Sequence, residues 1–256
     1  MPRRGRATVT LDRALSKLGI LSRTQARQAV LAGRVEVDGR VVDNPAARLR
    51  PEHATIAIDG EPQQRARWRT ILLHKPRGVV TTRHDPEGRP TVYDVVGDAA
   101  RGLVAVGRLD LATTGLLILT SDTQLANHVT DPENKIARVY VVTVRGRLED
   151  DDVATLTRGV QTGRERLRAE SIAVRKVSGR ESHVTVELRE GRNREVRRLF
   201  EAIGHEVIRL KRIRVGGLEL GSLEPGKWRQ ISPEEIRAAF AGYQPRRSEV
   251  SMRSGR

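Results

Sequence analysis

Apolar residues first recur at helical spacing at Leu11, Leu15 and Leu18, with Ala14 on the same face and Gly19 immediately after. This spacing predicts a short amphipathic helix stopped at the glycine. Ser22 and Gln25 form an S-x-x-Q capping box, which starts a second helix at Ser22. Its apolar stripe is Ala26, Ala29 and Val30, and Gly33 ends it; Arg23, Arg27 and Arg34 fall off the stripe. The pattern then changes to alternation. Val35–Val42 flanks an Asp38-Gly39 pair, a hairpin signal, and Thr55–Ile58 before Asp59-Gly60 predicts one more strand and turn. Glu61–Arg69, with Pro62, two glutamines and three arginines, reads as a polar linker.

From Thr70 onward strand-like runs dominate: Ile71–His74, Val79–Thr82, Leu103–Val106, Leu116–Leu119, Val139–Val144, Ile172–Val177 and His183–Leu188. Helical patterns sit between some of them. One follows Ser121-Asp122 through Leu125, Ala126 and Val129, and another covers Asp150–Leu156 before Gly159. A third joins Val196, Leu199, Phe200 and Ile203 before Gly204. The last runs from the cap Ser232, with Pro233 and Glu235, through Ile236, Ala239 and Phe240. Many strands with few helices and no regular βαβ alternation predict an α+β fold with a mixed or antiparallel sheet. The expected organisation is a flexible basic arm over 1–8, a small domain of an αα-hairpin plus β-strands over 9–60 and a linker over 61–69. A larger domain over 70–243 and a disordered basic tail over 244–256 complete it.

Charge narrows the class of partner. Among 256 residues, 47 lysines and arginines face 32 acids, a net +15. A polyanion is expected, nucleic acid before an anionic membrane. Residues 1–69 carry 14 basic and 7 acidic residues, and residues 189–214 carry 9 and 4, so both parts of the chain share the excess. There is no run of 18 apolar residues, and Met1-Pro2-Arg3-Arg4-Gly5-Arg6 lacks the apolar core of a signal peptide. A cytoplasmic protein without membrane contact is expected. The absence of cysteine excludes disulfides, thiolate zinc sites and cysteine nucleophiles. The six histidines show no metal-ligand spacing, and the common phosphate-binding and hydrolase signatures are missing, so neither metal nor cofactor is expected.

Three stretches carry candidate chemistry. Val106–Leu117 places Asp110 and Arg108 between two apolar runs, with glycines at 107 and 115 and threonines at 113 and 114. Ala137–Val144 is a β-branched run interrupted by Tyr140. Leu188–Phe200 is a strand, a glycine turn and a helix rich in arginine. On a helical wheel Arg194 and Arg198 point away from the apolar stripe, as phosphate contacts would, whereas Arg197 flanks its edge, suited to a partly buried carboxylate. Spacing alone favours a turn-capping role for Asp110 and a core-packing role for Tyr140.

Resemblance changes that balance. Leu11–Leu15, Ser22–Arg27 and Gly33–Gly39 resemble the small RNA-binding domain named after ribosomal protein S-four. That similarity implies backbone contacts to RNA from Arg23, Arg27 and Arg34. Gly107–Thr120 resembles the G-R-L-D-x-x-T-T-G-L-L-x-L-T motif of pseudouridine synthases, of the subfamily that includes RsuA and RluB. The likeness extends over almost the whole chain, through Leu73–Gly78, the tyrosine strand and Gly191–Phe200. It departs at Arg138-Val139-Tyr140, where the family usually has K-x-Y. The resemblance implies that Asp110 is the essential aspartate, that Tyr140 stacks on the target base and takes part in proton transfer, and that Arg197 pairs with the aspartate. It further implies that Leu210 lines the uracil pocket, that Lys75 and Pro76 are structural, and that Arg108 supports the site or contacts phosphate. The reaction it implies is isomerisation of a uridine in ribosomal RNA, with the large subunit favoured, no cofactor, and Asp110 as either nucleophile or base. The implied partner is ribosomal RNA or an assembly intermediate, bound by a monomer with no obligate protein partner. The alternatives are a small-subunit target, a non-catalytic ribosome-assembly factor and, more weakly, a DNA-binding protein.

Overall fold

In a computed structural model of the protein, residues 8–18, 20–51, 54–63 and 68–243 are described. The expectations for residues 1–7, for Gly19, for residues 64–67 of the linker and for the tail 244–256 lie outside the described residues. The chain divides into two units, the first comprising the residues up to Arg69 together with Ser121–Thr123, and the second Thr70–Thr120 and the described residues from Gln124 on.

In the first unit the helices Leu11–Lys17 and Arg23–Leu31 form where the apolar spacing places them. The capping box is made: Gln25 donates its backbone N–H to Ser22 Oγ at 3.3 Å, and Ser22 N–H donates to Gln25 Oε1 at 3.1 Å. Leu11, Leu15, Ala26, Val30, Val35 and Ile56 close a small core. Val35–Val37 pairs with Arg40–Val41 across the turn at Asp38 and Gly39, both at positive φ, and with Ile56–Ile58 on its other side. This is the primed-turn geometry that Asp-Gly favours.

The second unit is built on one mixed sheet. Its principal strands are β1 (Thr70–Lys75), β2 (Thr114–Thr120), β3 (Arg138–Arg145), β4 (Ser171–Val177), β5 (Glu181–Leu188), β6 (Val207–Val215) and β7 (Trp228–Gln230). Their order is β4-β5-β3-β6-β2-β1-β7, and only the β6–β2 pair is parallel. Alternate residues of β1 and β2 feed two apolar clusters on opposite faces: Leu73, Leu117 and Leu119 on one, Leu72, Leu116 and Ile118 on the other. Both strands therefore read as continuous apolar runs.

One expected strand is absent, one strand was not expected, and the expected linker begins as a strand, Glu61–Pro62 pairing with Ile56–Ile58. Val79–Thr82 is not a strand. It is a loop held by single bonds, with Val80 N–H donating to Pro90 O and Gly78 N–H to Leu111 O. Its apolar side chain Val79 is buried as part of the core, which produces a strand-like pattern without a strand partner. Conversely, the central strand β6 has no alternation to find. Arg209, Lys211, Arg212 and Arg214 lie within it, and one of them, Arg212, is buried.

Candidate active site

Asp110 sits on a loop whose shape is fixed from below. The loop leaves Val106, which donates to Ile118 O, turns through Gly107 at φ +72°, and returns at Thr113, whose N–H donates to Asp110 O at 3.0 Å. Lys75, at the end of β1, is fully buried. Its Nζ donates to the carbonyls of Pro76, Asp110 and Thr113 at 3.1, 3.1 and 2.9 Å. Three acceptors match the three protons of an ammonium group. Burial pushes Lys75 down to about 8, and the negative charge of Asp110 opposes that shift. Thr81 completes the brace, its hydroxyl donating to Leu109 O and accepting from Leu109 N–H. The Asp110 side chain itself is 35% exposed.

The loop continues into β2 at Gly115, paired with Arg212 of β6. Gly115 has φ +110°, and a Cβ there would overlap the Arg212 backbone. The glycine of the T-T-G stretch is thus a close-approach position that lets β6 lie beside the loop.

These elements line a cavity of about 300 Å³. Asp110, Arg108, Tyr140, Leu210 and Arg194 all face it, together with Thr113 and the apolar Leu188, Val196 and Val215. Tyr140 on β3 is 8% exposed, next to a register shift against β6, and Leu210 on β6 is 7% exposed. The lining thus combines aromatic and aliphatic side chains with charged ones.

The third stretch differs from the helical-wheel expectation. The helix runs over Glu195–Glu201, so Arg194 is its N-cap, in the left-handed region at φ +49°, and not on a helical face. Its Nη1 lies 3.7 Å from Asp110 Oδ2. Arg197, expected to hold that carboxylate, instead donates through Nη1 to Val207 O at 2.9 Å, and its buried Nε has no hydrogen-bond partner among the described residues. Burial and the charge of Arg194 lower its pKa, while the charge of Asp110 acts to raise it; the two are within electrostatic reach without an ion pair. Arg198, expected to be free for phosphate, is tied to a hairpin: it donates to Thr162 O and Oγ1 and pairs with Glu165 at 2.7 Å. In the first unit Arg23, Arg27 and Arg34 are all exposed, with Arg23 3.6 Å from Asp12 and Arg34 bonded to Asp59.

The comparisons with known proteins show which family the chain belongs to. A family model for RNA pseudouridylate synthase matches residues 69–202, and one for the S4 domain matches residues 9–54. The chain belongs to the RNA pseudouridylate synthase family. It is 35% identical to an uncharacterized RNA pseudouridine synthase of Aquifex aeolicus, over 93% of this chain and 98% of the relative. It is 38% identical to ribosomal large subunit pseudouridine synthase B of Vibrio cholerae, over 88% of this chain and 72% of the relative, and 38% identical to that of Escherichia coli K12, over 86% and 78%. A crystal structure of a pseudouridylate synthase superposes with a TM-score of 0.63 at 28% identity, covering 90% of this chain and 98% of the other.

Among the described residues of the synthase, no helix is long and apolar enough to cross a membrane, and no group of three or more His, Asp or Glu could hold a metal. Sequence reasoning missed three buried charges that line the cavity: Arg138, Arg212 and Glu195. Burial lowers Arg138, and it raises Glu195 against the opposing effect of two backbone N–H groups. Lys75 was legible only as a structural lysine. The signal for its closer role was a charge at the end of the otherwise apolar run that forms β1.

Proposed function

We propose that this synthase converts a uridine of large-subunit ribosomal RNA to pseudouridine with Asp110 as the reacting carboxylate. The observation that carries the reading is that Asp110, on a braced loop, lines the same cavity as Tyr140 and Leu210. In the reaction the C1′–N1 bond of the uridine breaks, the detached uracil turns, and a C1′–C5 bond forms. C5 then loses its proton and N1 gains one. Every heavy atom stays within one nucleoside, and the proton lost at C5 is balanced by the one gained at N1, so the reaction needs no second substrate. An ionised Asp110 serves the step in which C1′ is electron-poor, with the Arg194 guanidinium 3.7 Å from its Oδ2.

Tyr140 supplies a flat face for the extruded base, and Leu210 an apolar contact beside it. A base leaving a paired stack costs a few kcal/mol, and stacking on an aromatic ring returns ~1–3 kcal/mol of that. The remainder comes from phosphate contacts, for which Arg108 at the cavity and Arg23, Arg27 and Arg34 on the first unit are placed or exposed. Ribosomal RNA, the large subunit in particular, follows from the names of the relatives together with the S4 match. The protein acts as a monomer in the cytoplasm, on ribosomal RNA or an assembly intermediate. The test is to incubate the protein with each unmodified ribosomal RNA and map carbodiimide-dependent primer stops. One new stop on the large-subunit RNA is expected; a stop confined to the small-subunit RNA would reassign the substrate.

A further inference from the structure

Glu195 has no place in the mechanism above, yet it is the least exposed carboxyl group at the cavity, with only 3% of its surface accessible. Its Oε2 accepts two hydrogen bonds, from Gly191 N–H and Arg192 N–H, each at 2.9 Å. Its Oε1 is buried with no hydrogen-bond partner among the described residues. A carboxyl that only capped a helix would not have to be buried. Two capping-box side chains of this chain, Gln25 and Asp94, accept a backbone N–H from three residues back while remaining exposed. Burial at this position carries a cost that local helix capping does not explain.

What Glu195 holds is the segment 191–194. Arg194 occupies the left-handed region, a conformation that a non-glycine residue keeps only where its surroundings enforce it. The enforcement is visible on two sides. On one, Glu195 ties down the amides of residues 191 and 192. On the other, Gly191 lies against the guanidinium of buried Arg138: a Cβ on Gly191 would come within 3.0 Å of Cζ and 3.1 Å of Nε. Arg138 is fixed in turn by bonds from Nη1 to Ile136 O and from Nη2 to Val129 O, both 2.9 Å, and it lies within electrostatic reach of Glu195. The segment is therefore clamped between a buried acid and a buried base, and its last residue meets Asp110.

We propose that Glu195 is a positioning residue: with Arg138 it clamps the 191–194 segment so that Arg194 stands opposite Asp110. This rests on Asp110 being the reacting carboxylate. Glu195 acts through Arg194 and touches no reacting atom, so its removal slows turnover without weakening RNA binding.

The experiment is a double-mutant cycle in the full chain. Glu195→Ala, Arg194→Ala and the double variant are assayed for single-turnover pseudouridine formation, for RNA affinity, and for hydrogen exchange at the Gly191 and Arg192 amides. Glu195→Ala is expected to lower the rate by about 100-fold, the scale of a small misplacement in a catalytic site. RNA affinity should hold, and both amides should exchange faster. In the Arg194→Ala background the same change should cost little more. Glu195→Gln, which keeps an acceptor for both amides, should recover most of the rate. Multiplicative losses in the double variant would overturn the proposal, as would unchanged amide exchange in Glu195→Ala. If Glu195→Ala does not fold, Gly191→Ala disturbs the same clamp from the Arg138 side and must show the same dependence on Arg194. Wild-type protein that forms no pseudouridine would defeat the Asp110 reading, while the exchange measurement would still decide whether Glu195 clamps the segment.

Discussion

Arg194 Nη1 stands 3.7 Å from Asp110 Oδ2, and Arg197, one helical turn further on, gives its hydrogen bond to Val207 O instead. The two arginines therefore divide the work. Arg194 is half-exposed and carries the ion pair; Arg197 is partly buried and ties the helix to β6. Arg194→Ala should reduce single-turnover rate while leaving the melting temperature nearly unchanged, because an exposed pair contributes ~0–1 kcal/mol to stability. Arg197→Ala should reduce both, since it also removes a bonded donor worth about 1 kcal/mol and part of the packing beneath it. Thermal denaturation run beside the rate assay separates the two.

Lys75 makes stability depend on pH in a defined window. Its folded value of about 8 lies below its ordinary value of 10.5, because burial disfavours the charged form. Below about pH 8 the ammonium is charged in both states and the cost of burying it is fully present. Between about 8 and 10.5 the unfolded chain holds more protons, so unfolding free energy from this group rises with pH. The rise is on the order of 3 kcal/mol at most. Urea denaturation at several pH values, compared between wild type and Lys75→Arg, should show the stability difference moving in favour of wild type across that window. A constant difference would contradict it.

Gly115→Ala should disrupt the unit itself. The new methyl group would meet the Arg212 backbone, and the positive φ at this position adds strain. Neither β2 nor β6 can withdraw, because both are central strands of the sheet. A loss on the order of 3 kcal/mol or more is expected in denaturant titration. Stability equal to wild type would mean that the two strands do not approach so closely.

Tyr140→Phe and Tyr140→Ala separate the ring from the hydroxyl. Loss of the ring should weaken productive binding of the target base by ~1–3 kcal/mol. The phenylalanine variant should retain that binding, and any rate it loses is then due to the phenolic hydroxyl. KM and kcat for both variants on one RNA fragment provide the check.

On the first unit, Arg27 is exposed and has no ion-pair partner among the described residues, whereas Arg34 is held by Asp59. Arg27→Glu should therefore weaken RNA binding more than Arg34→Glu, and it should reduce the slope of log affinity against log salt by about 0.7–0.9 for each phosphate it no longer neutralises. Filter binding at several salt concentrations measures both quantities.

The small domain was legible because each of its signals is local. The Ser22–Gln25 capping box, the Asp38-Gly39 turn and the spacing of Leu11 and Leu15 need no distant partner. Strand β6 was not legible, because its arginines serve the cavity and the flanking strands and erase the alternation that marks a half-buried strand. Of the candidate site, Asp110, Tyr140 and Leu210 lie within recognisable motifs, and they line one cavity. The wheel placed Arg197 against the carboxylate and Arg194 away from it because it continued the helix back through 194. The chain instead turns left-handed there, a backbone event with no side-chain signature at an arginine. Glu195 was overlooked for a related reason: a glutamate in a first helical turn reads as a solvated cap, and only tertiary packing buries it.

The most direct test of Asp110 as the reacting carboxylate is primer-stop mapping of carbodiimide-treated large-subunit ribosomal RNA after incubation with wild type and with Asp110→Ala, with RNA affinity measured for both. Asp110 as the reacting group predicts a stop at one uridine with wild type and none with the variant, at similar affinity. A stop of equal strength with Asp110→Ala would contradict it.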